Sequence, residues 1–122
     1  MAKNQSKGQI EAKIREMIIK FEKEHMGRGP EDTTAQILGD IIFIRLKGVL
    51  TAAEKALAKD PEGKNLVKQT RVRLLESSRK LLEKGVEEAT GAAVLTLHTD
   101  ISTKTGERII VFTMNKTLTF EQ

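Results

Sequence analysis

The sequence predicts an α+β fold made of two helix-plus-β-hairpin units in the order α-β-β-α-α-β-β. One four-stranded antiparallel sheet is expected, with helices packed on one face. Three observations carry this. Two long stretches repeat apolar residues at three- and four-residue spacing, as helices with one buried stripe do. Each is followed by a glycine turn set between β-branched runs, the pattern of a hairpin. The segments Gly39–Thr51 and Gly106–Thr119 also agree in turn glycine, acidic residue and β-branched run. Internal duplication explains that agreement, and so does similar composition in two unrelated hairpins.

The first helix is expected from Gln9 to about His25, with Ile10, Ile14, Met17, Ile18 and Phe21 on its apolar stripe. Gly27-Arg28-Gly29-Pro30 ends it, because glycine suits a left-handed cap and proline forbids continuation. Glu31–Thr34 then reads as a turn. Thr34–Leu38, Gly39-Asp40 and Ile41–Lys47 read as a hairpin, with Ile42, Ile44 and Leu46 on one face of its second strand. Gly48 breaks that strand. Thr51-Ala-Ala-Glu54 is a capping box opening a short helix to about Lys59. Asp60-Pro61 starts a long helix to about Ala89, with Asp at the N-cap and Pro at the first helical position. Its expected buried stripe includes Leu66, Val67, Leu74, Leu75, Leu81 and Leu82. Gly85 inside that helix costs roughly 1 kcal/mol against alanine.

The last hairpin pairs Ala92–Ser102 with Arg108–Lys116 across Thr103–Glu107. Alternation puts Leu95, Leu97 and Ile101 on one face of its first strand, and Thr96, His98, Asp100 and Ser102 on the other. Its second strand is apolar on both faces. Such a strand is central, or buries its second face against a partner, so a homodimer is expected. On that reading Ile109→Asp or Val111→Asp gives monomers or insoluble protein.

Composition bounds function mainly by exclusion. The 122 residues suit a single domain (residues 1–122), with 1–7 and 117–122 expected as flexible ends. No cysteine is present, which removes disulfides, thiolate metal sites and Cys nucleophiles. Aromatic residues make up only 3%, so base-stacking platforms are scarce and nucleic acid is not the expected partner. A net charge of +4 favours acidic partners weakly, because Lys and Arg alternate with Glu along both helices. No apolar run reaches the roughly 18 residues of a membrane span, and no signal peptide is read.

Candidate site residues cluster in the second hairpin. His98, Asp100 and Ser102 alternate on one face about 7 Å apart, too far for a nucleophile to touch its base. A ligand-reading row remains, with Arg45, Lys47, Lys104 and Arg108 supplying positive charge. A solvated or partner-facing sheet surface has the same pattern. His25, Glu24, His98 and Asp100 lack any metal-binding spacing, so no metal or other cofactor is expected. Arg28, between two glycines, is either displayed to a partner or decorates a tight turn.

Three segments together resemble one bacterial family: Gly27-Arg28-Gly29-Pro30 after a helix ending FEKEHM, then Arg45–Ala58, then His98–Met114. The match runs in the same order and spacing from about Lys7 to Met114. That family, formerly a domain of unknown function, is MpsC, a component of a sodium-translocating, membrane-potential-generating system. The resemblance implies a small non-enzymatic protein, cytoplasmic or peripheral at the inner face of the cell membrane. Its implied role is accessory or regulatory, and its partners membrane proteins of an ion-translocating system. It implies no catalytic residues. It does point to Arg28, Arg45, Lys47, His98, Asp100, Thr105, Gly106 and Arg108 as serving something beyond folding, and the charged ones, with Lys104 from the ligand-reading row, are the expected ligand- or partner-binding residues. Alternatives are a small-anion sensor for bicarbonate or phosphate, built on Arg45, Lys47, His98 and Arg108, and an RNA- or nucleotide-binding module.

Overall fold

Seven elements follow one another in a computed structural model that describes residues 5–121. They are α1 (Lys7–His25), β1 (Asp32–Leu38), β2 (Ile41–Lys47), α2 (Ala52–Leu57), α3 (Pro61–Thr90), β3 (Val94–Ile101) and β4 (Arg108–Met114). The strands form one antiparallel sheet in the order β1-β2-β4-β3. Each hairpin therefore contributes its second strand to the centre, and the doubly apolar β4 is central, as its composition requires. The helices α1 and α3 pack on each other, and they cover the sheet face carrying Ile42, Ile44, Leu46, Ile110, Phe112 and Met114.

Local chemistry explains most boundaries. Ser6 caps α1 with a capping box closed by Gln9, a signal the apolar spacing alone does not reveal. That helix consequently starts two residues earlier than expected, at Lys7, so Ser6 and Lys7 are ordered parts of it. The expectation of a flexible start at residues 1–4, and that for Gln122, lie outside the described residues. Thr51 and Glu54 close the second capping box, with bonds of 3.1 and 2.9 Å. Asp60 accepts from the Gly63 amide at 2.7 Å while Pro61 occupies the first turn. Gly91, with φ of 73°, ends α3 in the left-handed conformation.

Four expectations need correction. Glu31–Thr34 is not a turn: the Glu31 amide donates to the Lys47 carbonyl, and β1 already begins at Asp32, opposite Lys47. In α3 the buried row is Gly63, Val67, Arg71, Leu75, whereas Leu66, Leu74 and Leu81 are exposed by 48%, 37% and 53%. Leu95 is 65% exposed because a register irregularity between Val94 and Thr96 turns it off the core face. The segment after Met114 is not strand, yet it is not loose either. Leu118 is buried and donates its amide to Gly39, and the Glu121 amide reaches Gln5.

Candidate functional site

The sheet presents two very different surfaces to the groups singled out by sequence. Its inner face, under the helices, holds a buried ionic cluster. Arg71 (α3) is fully buried. Its Nε donates to Glu54 Oε2 at 2.8 Å, and its Nη2 donates to the Val49 carbonyl at 2.8 Å and to Glu54 Oε1. Glu22 (α1) and Arg108 (β4) are also buried. Arg108 Nη1 donates to Thr99 Oγ1 at 3.2 Å, and that hydroxyl donates in turn to the Ile109 carbonyl. Two glutamates and two arginines from four elements thus balance in formal charge, three of them buried and Glu54 part-exposed.

Burial pushes the Glu22 carboxyl above its usual range, against the pull of the Arg108 and Arg71 guanidiniums. It pushes Arg108 below its own, against the pull of Glu22. Burial would raise Glu54 as well, but the bonds from Arg71 and Thr51 outweigh it and hold that carboxyl low. Among the described residues, neither Glu22 oxygen has a hydrogen-bond partner, and the same holds for Arg71 Nη1 and Arg108 Nε. Buried charges of this kind are costly unless compensated within the cluster. Sequence reading missed three of these four residues as a group. The usable signals were Arg71 at four-residue spacing between Val67 and Leu75, and Arg108 in phase with Ile110, Phe112 and Met114.

The outer face is open. Its central rows are Leu38–Ile41–Thr113–Thr96, Gln36–Phe43–Val111–His98 and Thr34–Arg45–Ile109–Asp100. Phe43, Ile109, Val111 and Thr113 are half-buried, while His98 and Asp100 are exposed at the β3 edge. The hydroxyls of Thr96 and Thr113 bond across the strands. Arg45 pairs with Glu107, and Asp100 pairs with Lys68 Nζ at 3.5 Å from the helical layer.

Beyond the ends of β2 and β4 the surface turns basic. Arg45, Lys47, Gly48 and Lys55 line one shallow groove with Glu31, Thr105, Gly106 and Glu107. Lys55 and Lys104 line another with Leu50, Ala58, Thr105 and Gly106. Arg28 stands nearby, donating to the Gly29 and Leu50 carbonyls at 3.2 and 3.4 Å and pairing with Glu31 at 3.9 Å. The sequence-derived set is therefore divided. Lys47 and Lys104 lie about this end, His98 lies on the open face, and Arg45 and Asp100 share a row of that face, where Asp100 also lines a groove with Ser102, Lys104 and Glu107. Arg108 lies on the opposite side of the sheet, so the four-residue anion set of Arg45, Lys47, His98 and Arg108 does not converge. Among the described residues, no three His, Asp or Glu side chains gather as metal ligands would.

The sequence profile described as "Na+-translocating membrane potential-generating system (MpsC)" matches residues 6–116, which take in every element of the fold. The chain belongs to the MpsC family. Two relatives in Bacillus subtilis (strain 168) align along nearly their whole lengths with this MpsC member. The uncharacterized protein YbcI is 43% identical over 107 residues, 88% of this chain and 86% of its own. The uncharacterized protein YrhF is 30% identical over 102 residues, 83% of this chain and 84% of its own. No solved structure shows significant similarity. Among the described residues of this MpsC chain, no helix is long and apolar enough to cross a membrane.

Proposed function

We propose that this MpsC protein is a cytoplasmic, non-enzymatic accessory subunit of a Na+-translocating, membrane-potential-generating system, held to its membrane-embedded subunits by protein contacts. The observation that carries this reading is the family match across the entire fold, from residue 6 to residue 116. Its support from chemistry is that most of the flagged charges already have a partner within the chain. Arg28 ties its loop to Leu50, Arg45 pairs with Glu107, Asp100 pairs with Lys68, and Arg108 bonds Thr99. Lys47, Lys55 and Lys104 form no ion pair among the described residues and crowd the grooves around Gly106. That basic end is the contact assigned to the partner, with acidic loops of a multi-span subunit as its complement.

The test is affinity purification of the tagged protein from native membranes solubilised in mild detergent. Recovery of a multi-span ion-translocating subunit, lost in the Lys55→Glu/Lys104→Glu double variant, is the expected result. Repeated recovery of no such subunit overturns the accessory role, and its undiminished recovery with the double variant overturns the assigned surface.

A further inference from the structure

The core beneath the helices carries polar atoms that the role proposed above does not use. Along α1 the buried residues Ile10, Ile14, Ile18 and Glu22 recur every four positions, so a carboxylate stands where the row calls for a fourth aliphatic side chain. The same exchange occurs in the row of Val67, Arg71 and Leu75 on α3, and in that of Arg108, Ile110 and Phe112 on β4. The three charges gather at one end of the core, where Glu22 lies within electrostatic range of both guanidiniums.

Each arginine is anchored, and neither anchor involves Glu22. Arg71 is held through Nε and Nη2 by Glu54 and Val49, and Arg108 through Nη1 by Thr99. Among the described residues this leaves Arg71 Nη1 and Arg108 Nε as buried donors without acceptors, and both Glu22 oxygens as buried acceptors without donors. Charged groups buried without hydrogen bonds are strongly destabilising. We propose that one or two water molecules are bound inside the fold at this point, donating to the Glu22 carboxyl and accepting from Arg71 Nη1 and Arg108 Nε.

The balance of donors and acceptors selects water over an ion. A buried water makes about three hydrogen bonds to groups that otherwise lack them, and it offers donors and acceptors in equal number, as the two sides of this gap require. A metal cation would face two guanidiniums. An anion would face the Glu22 carboxylate and could donate nothing to it. Water also accepts from the protonated carboxyl, so it bridges the gap in either charge state of Glu22. Buried waters occur at about one per 27 residues, so a chain of 122 holds roughly four or five. Four of the six unpartnered buried side-chain atoms among the described residues lie in this cluster, which makes it the first place to expect them. The bridge joins α1 to α3 and β4 and forms a wet seam in an otherwise aliphatic core.

The experiment is oxygen-17 relaxation dispersion of water in solutions of the full chain. It counts water molecules held long enough to tumble with the protein, and labile hydrogens cannot imitate the signal. The double variant Glu22→Met/Arg108→Met removes three of the four unpartnered atoms and one charge of each sign, with circular dichroism as a check on folding. The dispersion amplitude should fall by the equivalent of one or two waters. Glu22→Gln, which keeps an acceptor and gains a donor, should leave it unchanged. High-resolution diffraction from wild-type crystals decides the matter even if the double variant fails to fold. Water density is expected about 3 Å from a Glu22 oxygen and from Arg71 Nη1 or Arg108 Nε. Equal amplitudes in the wild type and the folded double variant overturn the proposal. So does density for an ion at this position, or direct contact between Glu22 and either guanidinium with no water between them.

Discussion

Replacing Arg71 with methionine removes the side chain that joins α3 to α2 and to the Val49 loop, and the cost can be worked from its contacts. Arg71 has no exposed surface and makes three bonds, two of them to the Glu54 carboxylate. Methionine fills much of the volume but leaves the Val49 carbonyl and Glu54 without their donor, and Glu22 without one of its two compensating cations. Removing the buried guanidinium, with its Val49 bond as well as its pair to the part-exposed Glu54, costs about 3–5 kcal/mol. For 122 residues the unfolding entropy near the midpoint is about 0.26 kcal/mol per kelvin, so the midpoint should fall by roughly 12–20 °C. Denaturant titration monitored by far-ultraviolet circular dichroism measures the free energy, and a thermal scan the midpoint. Glu54→Gln retains an acceptor for the Thr51 amide, so a double-mutant cycle with it isolates the pair, with an expected coupling of about 1–3 kcal/mol. A loss below about 1 kcal/mol, the value of an exposed ion pair, would refute the view that this cluster holds the elements together.

Two further predictions follow from particular side chains. The raised Glu22 carboxyl favours the protonated form in the folded state, so its contribution to stability is complete in acid. It is lost as pH rises from the ordinary glutamate value, about 4.3, through the raised folded value. Glu22→Gln cannot ionise, so the wild-type stability measured against that variant should decline across this window, and parallel pH curves would contradict it. Glycine substitutions in α3 should split in sign although alanine is the better helix former by about 1 kcal/mol. A Cβ at Gly63 would sit 1.7 Å from the Leu57 carbonyl oxygen, so Gly63→Ala should destabilise by about 2 kcal/mol or more. A Cβ at Gly85 meets only the flexible Met17 thioether, so Gly85→Ala should be neutral or stabilising by up to about 1 kcal/mol in denaturant titrations.

Much of the fold was legible because its punctuation is chemical. Ile41–Lys47 is bounded by Gly39-Asp40 and Gly48, and the observed β2 has those limits. Thr51-Glu54 and Asp60-Pro61 likewise act as caps by mechanisms tied to residue type. Legibility failed where partners decide. Asp32 and Thr33 are strand residues because Lys47 and Leu46 pair with them, and no local propensity favours it. In α3, two neighbouring rows compete for the core, one carrying Leu66 and Leu74, the other Val67, Arg71 and Leu75. The row with an arginine wins because Glu54 and Val49 satisfy that arginine from other elements, which aliphatic spacing cannot reveal. The candidate site divided for a similar reason. Sequence proximity grouped Arg108 with Lys104, whereas strand parity places it beneath the helices with Ile110.

The ladder between β2 and β4 has a kinetic consequence. Each hairpin can close on its own within microseconds, from contacts a few residues apart. The seam that joins them pairs Ile44 with Ile110 and must wait until the intervening chain, including α2 and α3, has folded back. Loop closure of that length is slow relative to any local step. The speed limit for reaching the native state therefore sits at the midline of the sheet, and the sequence places β-branched and aromatic side chains there in both halves.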